Sequence, residues 1–246
     1  MRVSTTTGLA GKDNFAADRE EAERMLAVYP KLPLLARENR LFLSRAVAWL
    51  AGLGIRQFLD IGSGLPTAQN THQVAQAVEP ACHVVYVDND PIVLVHAKAL
   101  LKGDNVDAVR GDVRDPASIL TDPAVLKLLT PREPVALILC MVLHFFDAVT
   151  AKEITAGFVN SLAPGSYLVL SVGCGDDETG KQLTGEYTAS TLYNHAPQQI
   201  AGFFDGLELV APGLTDAREW EPHVTAKPAE HPGGRILAGV GRKVGA

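Results

Sequence analysis

The sequence predicts an α/β fold: an open, doubly wound sheet of about seven strands preceded by a helical segment. Three observations predict it. Between residues 55 and 172 short apolar runs alternate with helical stretches, the rhythm of βαβ units. Asp90-Pro91 and Asp115-Pro116 each offer a capping carboxylate followed by a proline whose fixed φ suits a first helical turn. The run 135–141 is almost wholly apolar, as a central parallel strand covered on both faces must be.

Taken in order, Asp13 or Asn14 can cap a first helix running to about Tyr29, where Pro30 and Pro33 interrupt it. A second helix carries Leu35, Phe42, Ala46, Trp49 and Leu53 at helical intervals and ends at Gly52 and Gly54. Then follow a strand over 55–60, a helix over 67–78, a strand over 83–87 and a helix over 91–102. Further strands are expected at 106–110, 135–141 and 166–172, with a helix over 148–162 that stops before Pro164 and Gly165. Beyond Gly173 the pattern weakens into a polar stretch over 175–191, a short helix near 198–204, and strands at 207–210 and 235–241. Residues 1–246 therefore read as a single domain, with a helical cap over 1–54 and the sheet core over 55–246.

Composition narrows the function. Apolar residues are 47% and charged residues 20% of the chain, ample for a core and a hydrated surface. With 22 Lys and Arg against 28 Asp and Glu, the formal charge is −6, and no stretch concentrates cations as a phosphate-tracking groove requires. Nucleic acid is not an expected partner. The longest apolar run, 135–146, is too short for a bilayer, and residues 1–14 lack a basic-then-apolar leader, so no membrane association and a cytoplasmic location are expected. Cys82, Cys140 and Cys174 lie far apart and are expected to be reduced and buried. His96, His195, His223 and His231 show no ligand spacing, so no metal is expected.

In wound sheets a ligand sits outside the carboxyl ends of the strands, where the loops diverge. The first such end reads Phe58-Leu59-Asp60-Ile61-Gly62-Ser63-Gly64-Leu65-Pro66-Thr67. Gly62 and Gly64 let a ligand approach the backbone, while Asp60 would repel a pyrophosphate but suits an ammonium or lies near a sulfonium. Thr67 stands where a dinucleotide fingerprint has its third glycine, which counts against NAD. At the second end Asp90 serves as the helix cap, leaving Asp88 to accept both hydrogens of a ribose diol. At the third, Asp112 can accept from an adenine amino group while the Val113 amide donates to the ring, since Asp115 is the next cap. Three successive strand ends thus outline S-adenosylmethionine. Ser63 and Asn89 flank these acids and join the expected cofactor set, with Arg40 on the preceding helix suited to pair with the methionine carboxylate.

The acceptor side is less sharply drawn. His144 follows the fourth strand, where an imidazole can remove the acceptor proton or fix the strand end. Phe145 and Phe146 can face a sulfonium or pack in the core. Asn70 and His72, one turn into the first βαβ helix, suit the methionine carboxylate, the acceptor, or a solvated helix start. Phe15, in Lys12-Asp13-Asn14-Phe15, suggests a lid, and Tyr187 and Tyr193 suggest an acceptor wall.

These segments, with Gly11 to Arg19, Asn39-Arg40, 58–66, 84–91, Leu143-His144-Phe145, Ala163-Pro164-Gly165-Ser166-Tyr167 and Phe203-Phe204-Asp205-Gly206-Leu207, carry a likeness over nearly the whole chain. It resembles class I S-adenosylmethionine-dependent methyltransferases, and more narrowly the actinobacterial S-adenosyl methyltransferase family formerly catalogued as a domain of unknown function. The resemblance implies a Rossmann-like sheet of order 3-2-1-4-5-7-6 with strand seven antiparallel, and cofactor contacts at Asp60, Gly62, Gly64, Asp88 and Asp112. It implies no acceptor. Family members usually carry an Ala-Arg-Val-Tyr-Asp-Tyr-like stretch where this chain has Ser4-Thr5-Thr6-Thr7-Gly8-Leu9-Ala10, which suggests a changed acceptor. The expected reaction is in-line methyl transfer to a small molecule, of the kind met in secondary metabolism. Cyclisation or aminocarboxypropyl transfer from the same cofactor, an NAD-dependent oxidoreductase, and a non-catalytic binder are the alternatives.

Overall fold

The computed structural model describes residues 26–27, 30–64, 69–101, 103–174, 191–224 and 235–245. Most of the expected first helix, with Phe15, lies outside them, as do Thr67, Tyr187 and the polar stretch up to residue 190.

Helix α1 (Leu32–Gly52) accepts Pro33 in its first turn, where a missing N–H costs nothing. Gly54, at φ +98°, turns the chain out of it into β1 (Gln57–Ile61). Next come α2 (Thr71–Val78), β2 (His83–Asp88), α3 (Pro91–Leu100) and β3 (Val106–Arg110). The expected caps form: Asp90 accepts from the Ile92 N–H at 2.8 Å, and Asp115 from the Ser118 N–H at 3.0 Å. Two short helices, α4 (Pro116–Leu120) and α5 (Pro123–Leu128), precede β4 (Val135–Cys140). The second starts at Asp122-Pro123, a repeat of the same capping device, with Asp122 accepting from the Ala124 N–H. A 3-10 turn (Leu143–Phe145), α6 (Ala148–Ser161), β5 (Tyr167–Cys174), α7 (Pro197–Gly202), β6 (Glu208–Leu209), β7 (Thr215–Asp216) and β8 (Arg235–Arg242) complete the described chain.

The sheet has eight strands in the order β3-β2-β1-β4-β5-β8-β6, with β7 also paired to β8. Strands β1 to β5 pair in parallel and β8 runs antiparallel to β5, so the expected order holds, with β8 in the place of strand seven. The extra strand arises at the edge. A turn at Gly213, φ +89°, with its N–H donating to the Val210 carbonyl at 2.7 Å, cuts the expected 207–210 strand short, and the chain rejoins the edge as β7. The described part of the cap, α1, lies against the sheet through Phe42, Ala46, Val47 and Leu50, and Phe42 meets Trp220 edge-on at 5.3 Å.

Side chains alternate between two cores, one on each face of the sheet. Leu59, Ile61, Val85, Val87, Leu137, Leu139, Leu168 and Leu170 face one core, closed by Ile119, Val125, Ile154 and Phe158. Phe58, Val84, Tyr86, Ala136, Ile138 and Val169 face the other, beneath α1. This period-two rule puts Asp60, Tyr86, Asp88, Cys140 and Ser171 on the α1 face, at the carboxyl ends of their strands. Cys82 and Cys174 are buried; Cys140, expected buried as well, is only partly so because it ends its strand.

Candidate functional site

The loop after β1 is shaped by two glycines in the left-handed region, Gly62 at φ +69° and Gly64 at φ +64°. Gly62 admits no side chain: a Cβ there would meet Val142 Cγ2 at 2.6 Å. Its N–H donates to the Val87 carbonyl at 2.7 Å, tying the first loop to the second strand. Asp60, one residue inside β1, is buried and accepts from the Thr71 hydroxyl at 2.6 Å through Oδ2. Burial pushes its carboxyl up to about 6; the Thr71 bond and the Arg40 guanidinium pull the other way, and Asp88 adds to the rise. Arg40 of α1 is thus an electrostatic neighbour of Asp60.

Asp88 joins both adjoining loops. Its Oδ2 accepts from the Gly64 N–H at 3.0 Å and its Oδ1 from the Asp90 N–H at 2.9 Å. Each oxygen keeps a lone pair for a diol. Asn89 is exposed beside it, and Ser63 is partly buried in the glycine turn. Gly111 passes between Val87 and Ile119, where a Cβ would come within 2.7 Å of each, and its N–H donates to the Asp88 carbonyl. That close passage holds the start of the loop after β3, which carries Asp112, against the end of β2. The Asp112 carboxylate is not spare: it accepts from the Arg114 N–H at 3.0 Å and from Arg114 Nε at 2.9 and 3.0 Å, which holds its pKa down. An adenine amino group there would share this carboxylate with Arg114. Val113 is half-buried against the core.

Past β4, Met141 adopts φ +55° and its N–H donates to the Ser171 carbonyl at 2.9 Å. The 3-10 turn follows, with the His144 and Phe145 rings 4.1 Å apart. Nδ1 of His144 is shut off from solvent and has no hydrogen-bond partner among the described residues. Burial, reinforced by His195, lowers this imidazole to about 3, so it is neutral at physiological pH. The segment after β5 folds over the turn: the Tyr193 N–H donates to the His144 carbonyl at 2.7 Å, and His195 Nε2 lies 3.2 Å from the Leu143 carbonyl. The Tyr193 side chain is exposed, and Phe146 packs into the core.

Asn70 and His72 have structural roles. Asn70 precedes α2, its N–H donating to Gln73 Oε1 at 2.9 Å. The Tyr86 hydroxyl accepts from the His72 N–H at 2.9 Å and lies 2.8 Å from His72 Nδ1. Sequence reasoning passed over Thr71, Tyr86 and Ser171 as site residues. Ser171 donates to Asn39 Oδ1 at 2.6 Å, both side chains buried, which fastens α1 over the strand ends. Their signal was available: counting by twos from Phe58 and Val84 puts Asp60 and Tyr86 on one face, and they are register partners. Among the described residues, no helix is long and apolar enough to cross a membrane, and no His, Cys, Asp and Glu group is arranged to hold a metal.

Comparison with known proteins accords with this geometry. The chain matches the family model of the S-adenosyl methyltransferases over residues 6–244. A candidate methyltransferase from Thermobifida fusca YX, solved at 1.95 Å, is 40% identical and superposes with a TM-score of 0.90 over 99% of this chain and 94% of its own. A DUF574 family protein from Streptomyces avermitilis MA-4680 is 37% identical, with a TM-score of 0.87 over 98% of this chain and 96% of its own. Human N-acetylserotonin methyltransferase, solved with S-adenosylmethionine, shares the fold at 17% identity and a TM-score of 0.55, over 98% of this chain and 63% of its own. None of the curated proteins compared with the chain matches it. S-adenosylmethionine suits the donor set: an open glycine turn, the Asp60 carboxylate, whose Oδ1 accepts no hydrogen bond among the described residues, and the paired oxygens of Asp88 answer a cationic amino acid joined to a ribose. By its sequence from end to end and by its fold, the chain belongs to the S-adenosyl methyltransferase family, enzymes that use S-adenosylmethionine as methyl donor.

Proposed function

We propose that the acceptor is a small molecule bearing a hydroxyl group, and that neither nucleic acid nor membrane takes part. The observation that carries this reading is the turn after β4. It is pinned by Tyr193 and His195, and it offers an imidazole and an aromatic ring in place of the cations that a polyanion would need. When bound, S-adenosylmethionine supplies a methyl group on a sulfonium that is its own leaving group. Asp60, Gly62, Ser63, Gly64, Asp88, Asn89, Asp112, Val113 and Arg40 would hold and orient it, and alignment itself removes much of the entropic barrier.

His144 would then accept one proton from the acceptor. Being neutral, it has a lone pair for that proton; its Nδ1, closed to solvent and without a partner among the described residues, would meet only an acceptor packed directly against the turn. A base this weak takes a proton only from a strongly acidic species. A hydroxyl becomes one as its oxygen gains positive charge while the bond to the methyl carbon forms and the bond to sulfur breaks, whereas a methylated amine keeps its proton. Tyr193 and Phe145 would line the acceptor; Phe15 and Tyr187 lie outside the described residues.

The test is to incubate the protein with methyl-labelled S-adenosylmethionine and a panel of small alcohols, phenols and amines, with an oligonucleotide and lipid vesicles alongside. Label on a hydroxyl compound with matching S-adenosylhomocysteine is expected. Label on the oligonucleotide overturns the acceptor class. Methylthioadenosine as the product overturns methyl transfer in favour of cyclisation or aminocarboxypropyl transfer.

A further inference from the structure

We propose that Thr71 is a positioning residue for cofactor binding: its buried hydroxyl, donated to Asp60, supports the Asp60 carboxylate in its charged form and turns its other oxygen to the ligand. The inference rests on Asp60 serving S-adenosylmethionine and is independent of the acceptor.

The geometry is specific. Thr71, the first residue of α2, is 2% exposed, and its Oγ1 donates to Asp60 Oδ2 at 2.6 Å. A threonine hydroxyl has one hydrogen, so that donation leaves it only acceptor capacity toward other groups. Tyr86, the register partner of Asp60 on β2, receives the His72 N–H at 2.9 Å. Asn70-Thr71-His72 therefore works as one unit: Asn70 starts the helix, His72 anchors Tyr86, and Thr71 delivers a hydrogen to the acid. The groups bearing on Asp60 from the packed elements are Arg40 on α1, Thr71 on α2, Asp88 and Tyr86 on β2, and Cys140 on β4. Thr71 is the one direct hydrogen-bond donor to Asp60 among the described residues. Without it, a carboxylate already disfavoured by burial loses its main local support.

The test compares Thr71→Val, which keeps the shape and removes the donor, with Thr71→Ser, which restores it, and with Asp60→Asn as control. Affinity for S-adenosylmethionine and for S-adenosylhomocysteine is measured by calorimetry from pH 5.5 to 8.5, in buffers of different ionisation enthalpy so that protons released on binding are counted. Thr71→Val should bind roughly tenfold or more weakly at pH 7, the loss expected for one hydrogen bond to a charge. It should also regain affinity at higher pH and release more protons near neutrality, while Thr71→Ser follows the unaltered protein. An unchanged Thr71→Val profile with a weakened Asp60→Asn overturns the role of Thr71. An unchanged Asp60→Asn overturns the cofactor role of Asp60 itself. The unaltered, ligand-free protein gives a second reading that needs no variant. The Asp60 carboxyl carbon and the Thr71 side-chain resonances should titrate with one midpoint, and independent behaviour overturns the proposal even if Thr71→Val does not fold.

Discussion

Replacing Asp60 by Asn should make the ligand-free protein more stable at neutral pH while it binds the cofactor less well. The buried carboxyl is raised from 3.8 to about 6, a rise of about two pH units. At 1.36 kcal/mol per unit, ionised Asp60 costs the folded state roughly 3 kcal/mol. The sign follows from the direction of the shift: with the folded value above the unfolded one, the acid is neutral in both states below about pH 4. It begins to cost stability above that and does so in full once the pH exceeds about 6. Asparagine keeps an oxygen for the Thr71 hydroxyl but gives up the charge, which trims the expected gain at pH 7.5 to about 2 kcal/mol. For a chain of this size that corresponds to a rise in Tm of about 4 to 8 °C. Urea unfolding of both proteins without ligand, at pH 7.5, 6 and 4.5, measures it, and calorimetry supplies the loss of affinity. The advantage should shrink through pH 6 and nearly vanish at pH 4.5. A variant less stable than the parent by the same amount at every pH would refute the argument, since the carboxylate would then be supporting the fold.

Three further perturbations probe the neighbouring parts. Asp88→Ala should weaken S-adenosylmethionine binding by about 10- to 100-fold, because a bidentate acceptor is lost and the Gly64 and Asp90 N–H groups lose their partner, as titration calorimetry would show. Gly62→Ala forces both a contact at 2.6 Å with Val142 and a positive φ, and should cost about 1 to 3 kcal/mol in urea unfolding. Val142→Ala in the same chain should return part of that, and no return would show that the backbone angle alone is responsible. His144→Ala should lower turnover without changing cofactor affinity. In the unaltered enzyme, no limb of the pH–rate profile between pH 5 and 9 should belong to His144, whose imidazole is held near 3.

Much of this was legible from the residues. The βαβ rhythm, the Asp-Pro caps and the glycine turn mark the sheet and its ligand rim, because each is set by neighbours within a few positions. The edge was not: whether residues 207–216 form one strand or two depends on Gly213 and on a partner strand some twenty residues further on. Of the two short helices before β4, the first starts at the expected Asp115-Pro116 cap, while the second was not expected although Asp122-Pro123 announces it. At the site, Asp88 and Asp60 stand where strand ends put them, yet the Arg114 grip on Asp112 and the Thr71 bond to Asp60 are tertiary facts. Burial of His144 is another, and it converts a histidine that looked poised at neutral pH into a permanently uncharged one.

Strand β8 is matched by β5 along its full length on one side, from Arg235 to Arg242, but on the other, among the described residues, only by the two-residue pieces β6 and β7. The sheet therefore finishes in a stepped margin, with the chain leaving and returning at Gly213 between the steps. A continuous margin of amides and carbonyls is what a foreign strand needs in order to zip onto a folded molecule. Here such a strand would find its register broken every few residues, which protects crowded molecules of this enzyme from sticking to one another along that side.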